Sequence, residues 1–186
     1  MTGIRVCIVT IILTIIYVAL SVAITNLFFH SNSTGSLIKS EGKIIGSKLI
    51  GQDFKNDIFF HGRPSLNFYN GGLSGNSEFS HFSNELNNAV TVNYNRFKEL
   101  NQSKEPDLNL ITESASGLDP HITYKGALSQ IDRIAHFANI DKKELSKIIN
   151  KKAKPRIFGL YGEKIINVLE LNLGLKEIYA KTSRSR

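Results

Sequence analysis

The sequence predicts an α+β protein with one N-terminal transmembrane helix followed by a single compact mixed α/β domain. Val6–Phe29 holds 24 residues without a charged side chain, and short apolar runs alternate with helical patterns in the rest of the chain. Of the 186 residues, 41% are hydrophobic and 21% are charged, which excludes a disordered polymer and a multi-span membrane protein. We expect an anchor over residues 1–30, a domain over 31–180 and a disordered tail over 181–186.

The apolar stretch is long enough to cross a bilayer. As a helix it would extend roughly 36 Å, against a hydrocarbon core of about 30 Å. A cleaved signal peptide is the alternative, because Ser21-Val22-Ala23 is a small-x-small pattern, but the apolar run continues to Phe29 past that site. The short N-terminal tail, with Arg5 its only basic side chain, favours a domain outside the cytoplasmic membrane.

Glycine and apolar runs predict a β-hairpin directly after the membrane helix. Ser36–Lys39 and Lys43–Ile45 flank the turn Ser40-Glu41-Gly42. The second strand is expected to continue through Gly46–Gly51, with its glycines at a bulge or bend. Ile58–Phe60 and Leu108–Thr112 are further short apolar runs, and the second of these is a strand candidate.

Capping residues and helical spacing predict the remaining elements. Asn67–Ser83 is a loop rich in Asn, Gly and Ser, and Ser83 is expected to cap the helix that follows it. Thr123 or Asp119 caps the next helix, and Asp141 opens a third with Glu144 in capping-box spacing. Ile165–Ile178 alternates like a strand, but Asn167 followed by Glu170 indicates a helix start, so we predict a helix there.

Charge is concentrated near the C-terminus. The net charge is +7, and residues 142–186 carry 12 basic and 4 acidic side chains. This region is either a solvated surface or a contact for an acidic partner or anionic headgroups. We expect no nucleic-acid partner, because no aromatic stacking platform accompanies the basic run. Cys7 is the single cysteine, which excludes an intrachain disulfide.

Two motifs combine residues that are able to carry chemistry. In Phe60-His61-Gly62-Arg63-Pro64-Ser65, the guanidinium of Arg63 would hold an anion or form an internal ion pair that fixes the loop. Ser116, Asp119 and His121 are the ingredients of nucleophilic catalysis, but a triad needs side chains that converge from separate elements. A turn followed by a helix cap is the simpler interpretation of that segment.

Common cofactor motifs do not occur in the sequence. It contains no HExxH, no Walker A loop and no GxGxxG, and we expect no metal and no cofactor of its own. Ser74, Gly75 and Asn76 form a small polar loop whose amides are weak candidates for cradling a nucleotide phosphate.

Taken together, these runs resemble the C subunit of the Kdp potassium-transporting ATPase, the KdpC family. The resemblance extends over roughly Leu27 to Leu175. The most specific segments are FHGRPS at residues 60–65 and SASGLDPHI at 114–122; others are GSLI at 35–38, QIDRIA at 130–135 and NVLELNL at 167–173.

The resemblance implies a non-catalytic subunit of a high-affinity, ATP-driven potassium uptake complex. Its partners would be a P-type ATPase subunit and a channel-like potassium-selective subunit, and it would assist assembly and act as a catalytic chaperone that raises ATP affinity. The partner-contact candidates are His61, Arg63, Ser116, Asp119, His121 and Gln130, together with the C-terminal lysines.

One departure and one alternative accompany the resemblance. The family's central loop usually reads SGGSN, whereas residues 74–77 read SGNS, which makes direct nucleotide contact the weakest inherited feature. The ATP would then be used by the complex and not held by this chain. The alternative function is a membrane-anchored extracytoplasmic sensor or binding module.

Overall fold

The computed structural model describes residues 2–40, 42–102 and 104–184, which form two compact units, Met1–Ser47 and Lys48–Arg186. Helix α1 (Thr2–Phe28) contains a candidate membrane span, Gly3–Phe28, of mean hydropathy 2.8 with none of its side chains buried. Its threonines bond back into the helix, as when Thr10 Oγ1 donates to the Val6 carbonyl at 2.9 Å. This pattern suits a lipid-facing helix, because lipid offers no partner for a hydroxyl.

The hairpin predicted after the membrane helix is confirmed. A short helix α2 (His30–Ser33) leads into β1 (Leu37–Ser40) and the antiparallel β2 (Lys43–Ser47). Ile38 faces Gly46 while Lys39 faces Ile44, so Ile45 is the extra residue of a bulge beside Gly46, as its position predicted. The predicted continuation of this strand to Gly51 is wrong, because β2 ends at Ser47 and a turn follows. Glu41 of the predicted turn lies outside the described residues.

The second unit contains most of the helices and one small sheet. Its elements are α3 (Asn84–Leu100), a 3-10 turn (Leu108–Leu110), β3 (His121–Thr123), α4 (Tyr124–Leu128), α5 (Ile131–Ala138), α6 (Lys142–Lys152), β4 (Ile165–Asn167) and α7 (Val168–Arg184).

Side-chain caps begin the helices where the sequence predicted them. Ser83 Oγ accepts from the Leu86 amide at 3.1 Å, Thr123 Oγ1 from Gly126 at 2.9 Å, and Asp141 Oδ1 from Lys143 at 2.9 Å. Of the two cap candidates for α4, Thr123 is therefore the one used. The sequence predicts one helix after this cap, whereas the structure divides it into α4 and α5, and the Gln130 side chain at the break is completely buried.

The structure tests two further predictions, one of a strand and one of a helix. The strand predicted at Leu108–Thr112 is wrong, because Asp107 accepts from the Asn109 amide at 3.2 Å and caps a 3-10 turn there. The helical interpretation of Ile165–Ile178 is confirmed from Val168 onward, and Asn167 Oδ1 accepts from the Glu170 amide at 3.1 Å. The helix runs to Arg184, through the first four residues of the predicted tail; Ser185 and Arg186 lie outside the described residues.

The β3–β4 pair organises the core of the second unit. The strands are antiparallel, with Ile122 opposite Ile166, and both side chains are completely buried. Leu145 and Ile149 from α6 and Leu171 from α7 are also fully buried in the same cluster. Each strand has only three residues, so the packing of the helices around them and not the ladder alone stabilises the pair.

Candidate functional site

The two most specific sequence motifs meet in a loop junction, which we define as residues 60–65, 75–77 and 113–121. None of these segments is helical, so side-chain contacts and crossing backbone hydrogen bonds hold them together. Ser65 Oγ donates to the Gly117 carbonyl at 2.7 Å and accepts from the Tyr69 amide at 3.0 Å. The junction is therefore a built feature of the fold and not a loose surface loop.

Arg63 joins the two motifs by an ion pair. Its Nη1 lies 3.2 Å from Asp119 Oδ2, and its Nη2 donates to the Glu113 carbonyl at 2.8 Å. The Tyr69 hydroxyl donates to the Arg63 carbonyl. The internal ion pair predicted for Arg63 is confirmed. Arg63 Nε is buried. In the described parts of the chain, it is the one buried side-chain nitrogen or oxygen found without a hydrogen-bond partner.

Asp119 is held as a carboxylate by donors on both sides. Its Oδ1 accepts from the His121 amide at 2.9 Å and lies 3.3 Å from His121 Nδ1. Burial alone would raise the pKa of Asp119, but the hydrogen bonds from His121 and Arg63 outweigh burial and lower the pKa below its ordinary value. The ion pair with Arg63 therefore persists at neutral pH.

The hydrogen bonds of Ser116 stabilise its own turn and are not made to His121. Its Oγ accepts from the Leu118 amide at 3.1 Å, and its carbonyl accepts from the Gly75 amide at 3.0 Å. Gly117 has φ +68°, and a Cβ there would lie 2.9 Å from the Gly75 carbonyl oxygen. The structure thus places the candidates Ser116, Asp119 and His121 in one turn that Arg63 braces.

The candidate nucleotide loop packs on this same turn. Besides the Gly75 amide, Asn76 Oδ1 accepts from the Glu78 amide at 3.1 Å, and Ser77 donates through its amide (3.1 Å) and its Oγ (2.6 Å) to Glu113 Oε2. Of the three backbone amides proposed to cradle phosphate, the Gly75 amide is therefore already used inside the chain. Nucleotide binding by Ser74, Gly75 and Asn76 stays a prediction. In the described ranges, no cluster of three or more His, Cys, Asp or Glu is placed to hold a metal ion.

The other two candidates, His61 and Gln130, belong to a second set of contacts, which we name the amide clamps. Gln130 accepts from the His61 amide at 2.8 Å through Oε1 and donates to the His61 carbonyl at 3.1 Å through Nε2. Asn172 does the same for Phe60, at 2.8 and 2.9 Å. Two side-chain amides thus replace a neighbouring strand and satisfy the buried backbone of the first motif.

Arg133 supports the clamps from beneath. It is fully buried, donates to Gln130 Oε1 at 2.7 Å and to Asn101 Oδ1 at 2.9 Å, and also binds the Asp57 carbonyl. Burial lowers the pKa of Arg133 to about 10, so it remains charged at neutral pH. Its hydrogen-bonded acceptors are neutral oxygens, and the charge of Asp57 partly opposes the effect of burial on its pKa.

His61 is kept neutral by these surroundings. Burial, with a smaller contribution from the charge of Arg133, lowers the pKa of His61 to about 4. Its Nε2 lies 3.3 Å from the Asn56 carbonyl. A cavity of about 740 Å³, lined by His61, Arg63, Tyr69, Arg96 and Glu113 among others, borders both the junction and the clamps.

Sequence reasoning missed Asn101, Glu113 and Asn172. The signal that would have found Asn172 is its position between Leu171 and Leu173 in a segment with four leucines, because a polar side chain buried there needs a hydrogen-bond partner. Glu113 and Asn101 carry no comparable local signal.

These are the features of a protein with one candidate membrane helix and a mixed α/β second unit, which we call the head and in which the two sequence motifs contact each other. A family model described as "KdpC: K+-transporting ATPase, c chain" matches residues 1–177. The chain belongs to this KdpC family.

Curated relatives agree with the family assignment. Proteins named "Potassium-transporting ATPase KdpC subunit" from Bacillus cytotoxicus and Rhodopseudomonas palustris are 40% identical over 166 residues and 37% identical over 180 residues. The first alignment covers 88% of this chain and 86% of the relative, and the second covers 89% and 90%. A protein of the same name from Caldanaerobacter subterraneus is 35% identical over 170 residues, covering 90% and 88%.

Proposed function

We propose that the chain is the accessory subunit of an ATP-driven potassium uptake complex, in which it assists assembly and raises the ATP affinity of a P-type ATPase subunit. The head lies outside the cytoplasmic membrane and contacts a channel-like potassium-selective subunit. The observation that carries the proposal is the family match over residues 1–177, which includes the apolar helix as well as the head.

The geometry supports a docking role for the head. Arg63, Ser116, Asp119 and His121 contact one another or the same turn, and His61 and Gln130 fix the backbone of the first motif. A surface held this way changes shape little on binding, which lowers the entropic cost of association. We propose that the partner subunits contact the surface of the loop junction, and that none of its side chains acts as a reactive group.

An effect on ATP affinity would be indirect. A head outside the membrane is separated from cytoplasmic ATP, so the effect must pass through subunit contacts as a coupling free energy between distinct sites. Direct contact of Ser74, Gly75 or Asn76 with nucleotide is the weaker form of the proposal.

The test is recovery of the complex with an Arg63→Ala variant. Removing the guanidinium leaves Asp119 without its ion pair and the Glu113 carbonyl without a donor, so we expect about 1–3 kcal/mol loss of head stability and a several-fold fall in co-purified partner subunits. Potassium-limited growth of cells dependent on this complex should fall in parallel.

Lys55→Ala is the matched control. Lys55 also lines the 740 Å³ cavity, but its side chain is 86% exposed and its contact with Asp53 is 3.5 Å long. Such a surface pair contributes little, so recovery should match the wild type. Wild-type chain that emerges from mild detergent without a P-type ATPase would contradict the proposal and favour the free-standing sensor.

A further inference from the structure

A ribbon between α6 and β4 exposes apolar side chains that do not belong to the core of the head. We define the ribbon as residues 154–163, all of which are exposed. At its tip, Ile157, Phe158, Leu160 and Tyr161 are 66, 92, 74 and 70% exposed. A contiguous group of large apolar side chains in water is a marker of an interaction site.

The backbone shows that the ribbon is a formed turn. Lys154 pairs with Ile165 at its base, and Ile157 pairs with Tyr161 at its tip, where the Ile157 amide donates to the Tyr161 carbonyl at 2.9 Å. Phe158 and Gly159 have φ of +51° and +73°, which fold the tip back on itself. The β3–β4 pairing anchors the base in the core through Ile166. The apolar tip is therefore presented on a fixed stem.

Basic side chains surround the stem. Residues 151–164 include five basic residues and one acidic residue, Glu163. Lys154 and Arg156 are exposed on the ribbon itself, while Lys164 lies over the Tyr124 ring at 3.8 Å and marks the stem's base. The apolar side chains of the tip suit the interior of a bilayer, and the tyrosine suits its interface. The basic residues around the stem suit anionic headgroups.

We propose that the ribbon is a second membrane contact, which inserts its apolar tip into the surface of a bilayer containing anionic lipids. A convex tip suits a soft bilayer, and helix α1 keeps the head close to one, which raises the effective concentration of the surface. This inference does not rest on the proposed potassium function. A groove on a protein partner is the competing occupant, and the experiment separates the two.

The test places an environment-sensitive fluorophore at the tip of the full chain. In a Cys7→Ser background, Phe158→Cys is labelled with a nitrobenzoxadiazole dye and reconstituted into vesicles of phosphatidylcholine with or without phosphatidylglycerol. We expect a blue-shifted emission and quenching by doxyl-labelled lipid in the anionic vesicles. Replacing Lys154 and Arg156 with glutamine should lower the docked-to-free ratio roughly fivefold for each basic residue removed.

Phe82→Cys is the matched control, because Phe82 is 96% exposed and the lysine or arginine nearest to it in sequence is Arg96. Its label should be quenched little in either vesicle, and near-UV circular dichroism should show that both labelled heads are folded. Equal quenching at positions 158 and 82 would overturn the proposal, and so would equal quenching with and without anionic lipid. A blue shift of the Phe158→Cys label that occurs only when partner subunits are co-reconstituted would also overturn it, because it would assign the tip to a protein groove.

Discussion

At the scale of single residues, His61 shows how one side chain reports on its surroundings. Its backbone is clamped by Gln130, and its ring lies near the buried charge of Arg133. Protonating the imidazole would place a second positive charge in a half-buried site. The surroundings of His61 therefore favour the neutral imidazole over the protonated one. As a result, the head becomes less stable in mild acid.

We predict that the free energy of unfolding falls as the pH is lowered from 6.5 toward 4. The pKa of His61 is about 4 in the fold against 6.5 for an unperturbed histidine, so between these values the unfolded chain binds more protons. The stabilisation is complete above pH 6.5 and lost as the pH falls to 4, with a loss of about 2 kcal/mol after allowance for solvent screening. Urea unfolding of the full chain in detergent micelles, followed by near-UV circular dichroism, measures it.

His61→Gln should flatten this part of the pH profile, because glutamine does not titrate. His136→Gln is the control, since His136 is exposed on α5 and its replacement should leave the profile unchanged. A wild-type profile that is already flat between pH 6.5 and 4 would refute the assignment.

At the scale of elements, α5 and α7 act as clamps as well as core helices. Gln130 at the start of α5 and Asn172 within α7 each bind both peptide groups of one residue in a non-helical segment. A loop that crosses the core has no strand beside it, and these amides supply the hydrogen bonds that a strand would have made. The position of the FHGRPS motif is thus decided by two distant helices.

We predict that Asn172→Ala destabilises the head by about 2–4 kcal/mol. The variant leaves the N–H and C=O of Phe60 unpaired in a site where Phe60 is fully buried, which incurs the desolvation penalty of both groups. Asn88→Ala, at an exposed position of α3, is the matched control and should change stability by under about 0.5 kcal/mol. A loss for Asn172→Ala no greater than for Asn88→Ala would show that the clamp contributes nothing.

At the scale of the whole molecule, the chain divides into an anchor unit and a head unit with different physical demands. The anchor needs only length and apolarity, and its span of 26 residues meets both. The head needs a core, and the cluster around Ile122, Ile166 and Leu171 provides it.

We predict that the head lies outside the cytoplasmic membrane. A Phe82→Cys variant in the Cys7→Ser background carries its thiol at a position where Phe82 is 96% exposed. Membrane-impermeant maleimide added to intact cells should therefore label it as fully as after permeabilisation. Labelling only after permeabilisation would place the head in the cytoplasm and remove the topological argument for an indirect effect on ATP affinity.

The sequence alone determined the anchor, the first hairpin, the positions of the helix caps and the family. The anchor, the hairpin and the caps depend on local information: 24 residues without charge, glycine at a turn, or a side-chain oxygen two or three residues before an amide. The ion pair of Arg63 was also predicted, although its partner Asp119 was not. Local rules predict the hairpin and the helix caps because the interacting atoms are close in sequence, which does not hold for Arg63 and Asp119.

Only the tertiary structure decided the β3–β4 pair, the amide clamps and the apolar ribbon. Ile122 pairs with Ile166, and Phe60 with Asn172, across long stretches of chain, and neither partner carries a local mark of the other. The same holds for Phe158, whose apolar side chain suggests burial until the fold leaves it in solvent. Contacts distant in sequence are selected by how helices pack around a common core, and no short pattern encodes that packing.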